Sequence, residues 1–185
     1  MKIAGIDPGL RNTGIAIGEL DIANSSLIIT ELYVIQTAPM NDAWKTEDTL
    51  RRCKEIYNKT KEYTKDCQII FAELPTGGSN NQTAFALGAG FTAALIGLPQ
   101  SLITVSPHDV KKTVLSEHPA KDRNKGAMVS WAINKHPEAP WPTYPYQGKF
   151  NPVENFSYLE HLADAIAAIY AGINKVKERN GKTGR

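Results

Sequence analysis

The order of its apolar segments limits this chain to one kind of architecture. Three β-rich runs, Lys2 to Ile6, Thr13 to Gly18 and Leu27 to Ile35, are separated only by turn residues. Connections that short join antiparallel neighbours, so the chain opens with a meander. Helical and strand patterns then alternate. From about Asp42 to Tyr63 the positions Leu50, Cys53, Ile56, Tyr57 and Thr60 recur at helical spacing between lysines and arginines, the pattern of a surface helix with one buried stripe. Gln68 to Glu73 is a buried-type strand, Gln82 to Leu98 an apolar helix rich in alanine and glycine, and Leu102 to Val105 another strand.

Ser106-Pro107 is a helix start, since a serine oxygen caps free N–H groups and proline at the first helical position gives up a donor that had no partner. Short helices are expected over Pro107 to Leu115 and Asn124 to Lys135. Glu138 to Ser157 contains four prolines and the aromatics Trp141, Tyr144, Tyr146, Phe150 and Phe156, which argues for a structured loop and against a regular helix, with its aromatics expected to pack rather than to stack on bases. An alanine-rich helix from about Tyr158 to Lys177 follows. The order implies an α/β fold, a mixed sheet with helices on both faces. The length of 185 residues fits one domain, 1–178, carrying the 138–157 insertion and followed by a basic, flexible tail at 179–185.

Charge alone assigns no partner, because the formal net charge is only +2. Basic residues gather in Arg51, Arg52, Lys54, Lys59, Lys61 and Lys65, in Lys111, Lys112, Lys121, Arg123 and Lys125, and from Lys175 to Arg185; each run taken alone reads as a solvated face. Cys53 and Cys67 lack metal or disulfide spacing, and the opening Met1-Lys2 reaches Asp7 without an apolar leader. The expected setting is the reducing cytoplasm, away from membranes. Gly77 to Asn81 forms no phosphate loop, so no small-molecule cofactor is expected, and His108, His118 and His136 match no ligand spacing and read as ordinary loop or surface residues.

The chemistry lies in acids that end apolar elements. Asp7 closes the first strand ahead of Pro8-Gly9, and Glu73 closes Ile-Ile-Phe-Ala ahead of Leu74-Pro75. In the last helix His161 and Asp164 are three residues apart and Glu160 and Asp164 four, so either pair shares a face. Each acid alone has a bland reading as a turn-former, cap or salt-bridge partner. Together, like charges in a cleft need a cation, and hard oxygen ligands select Mg²⁺, with Mn²⁺ able to substitute. A carboxylate site of that kind suits phosphodiester hydrolysis.

Gly5-Ile6-Asp7-Pro8-Gly9 with Thr13-Gly14, Phe71-Ala72-Glu73, Val110-Lys111-Lys112-Thr113-Val114 and His161-Leu162-Ala163-Asp164-Ala165-Ile166-Ala167 resemble the RuvC-type Holliday junction resolvases over Met1 to about Gly172. The resemblance implies an RNase H-like fold with a five-stranded sheet, three antiparallel strands then two parallel ones. It implies a homodimer, with the small-residue helix Gln82 to Leu98 as interface, that nicks four-way DNA junctions in pairs and leaves 5′-phosphate and 3′-hydroxyl ends. Asp7, Glu73, His161 and Asp164 would then be the catalytic and metal-binding positions, with Glu160 the second choice for the histidine's role. Lys111, Lys112, Arg123 and Lys125 would contact DNA. Thr76 stands where the family has an aromatic that stacks on junction bases. Forks, flaps and RNA–DNA hybrids are the alternative substrates of such a site. Asp7-Pro8-Gly9 with Thr13-Gly14 also resembles the phosphate loop of actin-like ATPases and sugar kinases, but those need two such domains and this chain is too short. A DNA-binding module that has lost catalysis is opposed by the presence of every matching acid.

Overall fold

The early strands form the expected meander. β1 (Lys2–Asp7) pairs antiparallel with β2 (Asn12–Asp21), and β2 with β3 (Ser26–Gln36). A computed structural model describes residues 1–42, 44–74, 77, 80–142 and 152–183. After the helix α1 (Lys45–Thr64), the strand β4 (Ile69–Glu73) returns parallel to β1. The helix α2 (Asn81–Leu95) then leads to β5 (Ser101–Val105), parallel to β4. The sheet order β3-β2-β1-β4-β5 is thus three antiparallel strands continued by two parallel ones, as the sequence predicts. Three more helices complete the fold: α3 (Pro107–Val114), α4 (Lys125–Lys135) and α5 (Pro152–Thr183), with a short 3₁₀ turn at Ala120–Asp122.

Alternation along the strands sorts the core into two halves. Ala4, Ile6, Ile15, Ile17, Ile35, Ile70 and Ala72 meet Ile56 of α1 and Ala93, Ala94 and Leu95 of α2 on one face. Ile3, Ala16, Ile29 and Phe71 meet α3, α4 and α5 on the other. Both faces of the central strand are therefore buried, which is why its sequence is a continuous apolar run rather than an alternating one. Leu162, Ala163, Ala165, Ile166, Ala167, Ala168 and Ile169 of α5 are all at most 1% exposed, so this helix is buried around most of its circumference, between the sheet and the pair α3 and α4.

Local chemistry sets the helix starts. Asn80 and Asn124 cap α2 and α4 through side-chain oxygens that accept from Thr83 and Ala127 N–H groups, and Ser106 with Asp109 makes a reciprocal capping box ahead of Pro107.

Several expectations need correction. The second helix ends at Leu95 rather than Leu98, because the chain turns through Gly97 at φ +73. The last helix begins at Pro152, so 152–157 is helical and not loop; proline opens a helix at no loss of a bond. It also runs past Lys177 to Thr183. Tyr144, Tyr146 and Phe150 lie outside the described residues. Trp141 packs on the core as expected and donates its ring N–H to the His136 carbonyl at 2.8 Å. Leu50, placed on the buried stripe of α1, is 56% exposed; the stripe runs instead through Ile56, Thr60 and Thr64. His136 is no surface residue: it is 2% exposed and bridges Glu138 and Tyr170 through its two ring nitrogens, each at 3.0 Å.

Candidate active site

Parallel pairing brings two of the acids together. Ile6 lies opposite Ala72, so the next residues, Asp7 and Glu73, stand side by side where both strands end at the same edge of the sheet. Alternation turns both toward α5, since Gly5 in β1 and Phe71 in β4 also meet that helix. The approach is close because the strands carry no side chain where the helix crosses. A methyl group on Gly5 would overlap the carbonyl oxygen of Ala165, and one on Gly14 the carbonyl oxygen of His161. That contact delivers His161 and Asp164, one turn apart on α5, over the tips of β1 and β4.

The electrostatics of this cleft are those of crowded like charges. Burial pushes the Glu73 carboxyl up to about 8, reinforced by the charges of Asp164 and Asp7 and opposed by Lys111. Burial likewise lifts Asp164 to about 7, with Asp7 and Glu160 adding to the rise and His161 and Lys125 opposing it. The site remains open to water: Asp7 and His161 keep 21% and 24% of their side-chain surface. Among the described residues, no three carboxylate, histidine or cysteine side chains close tightly enough around one point to wrap an ion as they stand. The donor set still fits a hard divalent cation, because Glu73 and Asp164 are crowded by neighbouring carboxylates, Asp7 among them, and the cluster is short of positive charge.

His161 and Glu160, the two candidates for one role, face different partners. His161 Nδ1 lies 2.6 Å from Asp7 Oδ2, while Glu160 Oε1 pairs with Lys125 Nζ at 2.5 Å. Burial works against a charged His161 ring, yet its hydrogen bond to Asp7 and the neighbouring carboxylates hold it above the usual histidine range. Lys125, itself raised by Glu160, also feels Asp164 and Asp7. Asn12, at the start of β2, was not singled out from the sequence, although its Nδ2 lies 3.3 Å from His161 Nε2. A readable signal existed: Asn12 shares the alternation of Gly14, Ala16 and Gly18, and a polar residue in that row faces α5.

The expected DNA contacts divide. Lys111 and Lys125 act on the acids and border the cleft. Lys112 instead lines a polar groove between α3 and the distal part of α5, with Asp109, Asn174 and Lys175. Arg123 donates to the carbonyls of His118 and Ser116 at 3.0 and 3.4 Å, tying a loop. Thr76 lies outside the described residues. The basic run on α1 is partly structural: Arg51 holds Asp48 and the Ala38 carbonyl, and Arg52 holds Thr37 and the Leu10 carbonyl.

No family model matches the sequence, and no curated protein matches it. Solved structures do. The structure of T. thermophilus RuvC in complex with Holliday junction substrate is similar over 93% of this chain and 92% of that one, at 18% identity and a TM-score of 0.64. The yeast mitochondrial Holliday junction resolvase aligns over 95% of this chain and 82% of its own, at 15% identity and a TM-score of 0.58. The Fowlpox virus Holliday junction resolvase aligns over 95% and 99%, at 14% identity and 0.52. This chain therefore has the RNase H-like fold of the RuvC-type resolvases, with three acids and a histidine gathered at the ends of its central parallel strands.

Proposed function

We propose that the chain is an endodeoxyribonuclease that resolves four-way DNA junctions by divalent-metal-dependent phosphodiester hydrolysis. The observation that carries this reading is the meeting of Asp7 and Glu73 at one sheet edge with Asp164 and His161 of α5, in a cleft bordered by Lys111 and Lys125. Those three acids would hold Mg²⁺, or Mn²⁺ in its place. When bound, the cation would supply Lewis-acid activation of water and neutralise charge on the departing oxygen.

The chain's own residues do the rest. Lys111 and Lys125 offer ammonium groups to the scissile phosphate and hold it against the acids. Lys125 must first exchange Glu160 for that phosphate, since the two are paired in the free protein. Paired nicks call for two such sites. The exposed side of α2 supports a homodimer: Phe85 and Ile96, both 62% exposed, border an apolar groove floored by Cys53, Tyr57, Ala89 and Ala93. Both cysteines are free thiols, and no helix among the described residues is long and apolar enough to cross a membrane; we place the protein in the cytoplasm with the DNA it would cut.

The test is substrate choice. A synthetic four-way junction, a fork, a flap and an RNA–DNA hybrid are incubated with Mg²⁺ at one salt concentration, because affinity for nucleic acid is salt-dependent. Cleavage concentrated on the junction, in two symmetric nicks with ligatable 5′-phosphate ends, supports the proposal. A preference for fork, flap or hybrid replaces the substrate while keeping the chemistry.

A further inference from the structure

We propose that Arg11 and Trp44 form a second DNA contact on the α1 side of the sheet edge, Arg11 taking a phosphate and Trp44 the exposed face of a base at the branch point; this deepens the nuclease reading and rests on it. Arg11 belongs to none of the basic runs, yet it stands in the turn between β1 and β2, four residues after Asp7. That turn leans on the α1 and α2 half of the core through Leu10 and is held from several sides. Thr13 Oγ1 donates to the Gly9 carbonyl at 2.7 Å, Arg52 Nη2 to the Leu10 carbonyl at 3.2 Å, and the Thr37 N–H to the Arg11 carbonyl at 2.9 Å. The backbone of α2 at Gly90 lies directly on Gly9 and Leu10, where an added methyl group would overlap them. Arg51, Arg52 and Arg123 are all held by protein groups, but the Arg11 side chain is exposed and has no hydrogen-bond or ion-pair partner among the described residues. A free guanidinium on a fixed turn is preorganised for a phosphate, because little backbone is left to order on binding.

Trp44 is the second, independent observation. It is 79% exposed, the most exposed large apolar side chain among the described residues, whereas Trp131 and Trp141 pack on the core. β3 ends at Gln36 opposite Asn12, so the segment that carries Trp44 leaves the sheet at the edge that holds Asp7. Arginines of α1 fix it there. Arg51 donates to the Ala38 carbonyl at 2.7 Å and pairs with Asp48, Arg52 donates to Thr37 Oγ1 at 2.9 Å, and the Asp48 N–H donates to the Trp44 carbonyl at 2.9 Å. A tryptophan held in water on a clamped segment gains free energy when its ring is covered. Asp42 and Glu47 flank it against one lysine, Lys45, and disfavour a phosphate there, whereas the face of a base carries no charge. A linear duplex hides its base faces along its length; a branch point ends the stacks of its arms and shows them. Arginine for the backbone and tryptophan for a base therefore fit branched DNA that crosses the strand tips from the Lys111 and Lys125 side.

The experiment compares binding of the full-length protein to a synthetic four-way junction and to a linear duplex by fluorescence anisotropy, in a cation that does not support cutting. Arg11→Gln weakens both about fivefold and lowers the salt slope by about one phosphate contact, and Arg11→Lys recovers most of the affinity. Trp44→Ala weakens the junction about tenfold and the duplex less than about twofold, and Trp44→Phe recovers most of the loss. 2-Aminopurine placed at the branch point is quenched on binding the wild type and stays bright with Trp44→Ala. Both side chains are exposed, so the four variants melt with the wild type. Arg11→Gln with the wild-type salt slope overturns the proposal, as does Trp44→Ala that weakens junction and duplex alike or weakens neither. A Trp44→Ala that alters only the protein's sedimentation also overturns it and makes this surface a protein contact. A wild type that binds the junction in this way but cuts no DNA removes the nuclease reading and leaves the contact standing; one that binds no DNA overturns the contact itself.

Discussion

Replacing Glu73 by glutamine should stabilise the metal-free protein at mildly alkaline pH. Burial, with the charges of Asp164 and Asp7, lifts the Glu73 carboxyl from 4.5 to about 8, so the folded state keeps a proton that the unfolded chain releases. For an acid whose folded value is raised, stability is greatest below the unfolded value and is lost as pH rises through the folded one. The window is therefore about pH 4.5 to 8. At ~1.4 kcal/mol per pKa unit the full rise corresponds to roughly 5 kcal/mol. Water reaches the cleft, and the three acids share one repulsion that a single neutralisation relieves once, which brings the expected effect to about 1–3 kcal/mol. For a domain of this size that is a shift of roughly 3–10 °C in Tm. The assay is thermal unfolding in chelator at about pH 5 and about pH 8. Wild type should lose stability between the two, and Glu73→Gln should melt above wild type at the higher pH, while Mg²⁺ should raise wild type more than the variant. A wild type equally stable at both, or a variant that melts lower at alkaline pH, would refute the claim that these acids repel one another in the folded state.

Three further outcomes follow from the same geometry. Gly5→Ala should cost more than about 3 kcal/mol in denaturant unfolding, because the added methyl meets the Ala165 carbonyl and the Ile169 side chain where α5 rests on β1. Glu160→Gln should free Lys125, tightening junction binding severalfold and steepening its salt dependence by about one phosphate contact, both measured by fluorescence anisotropy in a cation that does not support cutting. Phe85→Glu should shift the protein toward monomer in analytical ultracentrifugation without lowering its Tm, since that side chain is already 62% exposed.

The fold was legible in the sequence because its information is local. The three early runs separated by turns pointed to a meander and the helix-strand alternation after them to a mixed sheet, while the parallel placement of β4 and β5 was what the family resemblance implied. The acids were legible for a related reason: Asp7 and Glu73 end apolar strands, where a carboxylate without a task would be costly. What escaped was tertiary. His136 has no ligand spacing and gave no sign that α5 would bury it against Tyr170. Arg51 and Arg52 look like any solvated basic pair until the loop after β3 folds back onto them. Leu50 sits at helical spacing with Ile56, but the stripe that α1 buries is narrower than the pattern suggests. The choice between Glu160 and His161 depended on a phase of one residue in α5, set by where Gly14 lets that helix settle.

The central claim is that Asp7 works with Glu73 and Asp164 as one centre for cutting branched DNA. It is tested most directly by incubating a synthetic four-way junction and Mg²⁺ with wild type and with Asp7→Asn at equal concentrations, and mapping the products. Paired symmetric nicks from the wild type, slowed at least about a thousandfold in Asp7→Asn, are the predicted result. Equal cutting by the two proteins would contradict the account.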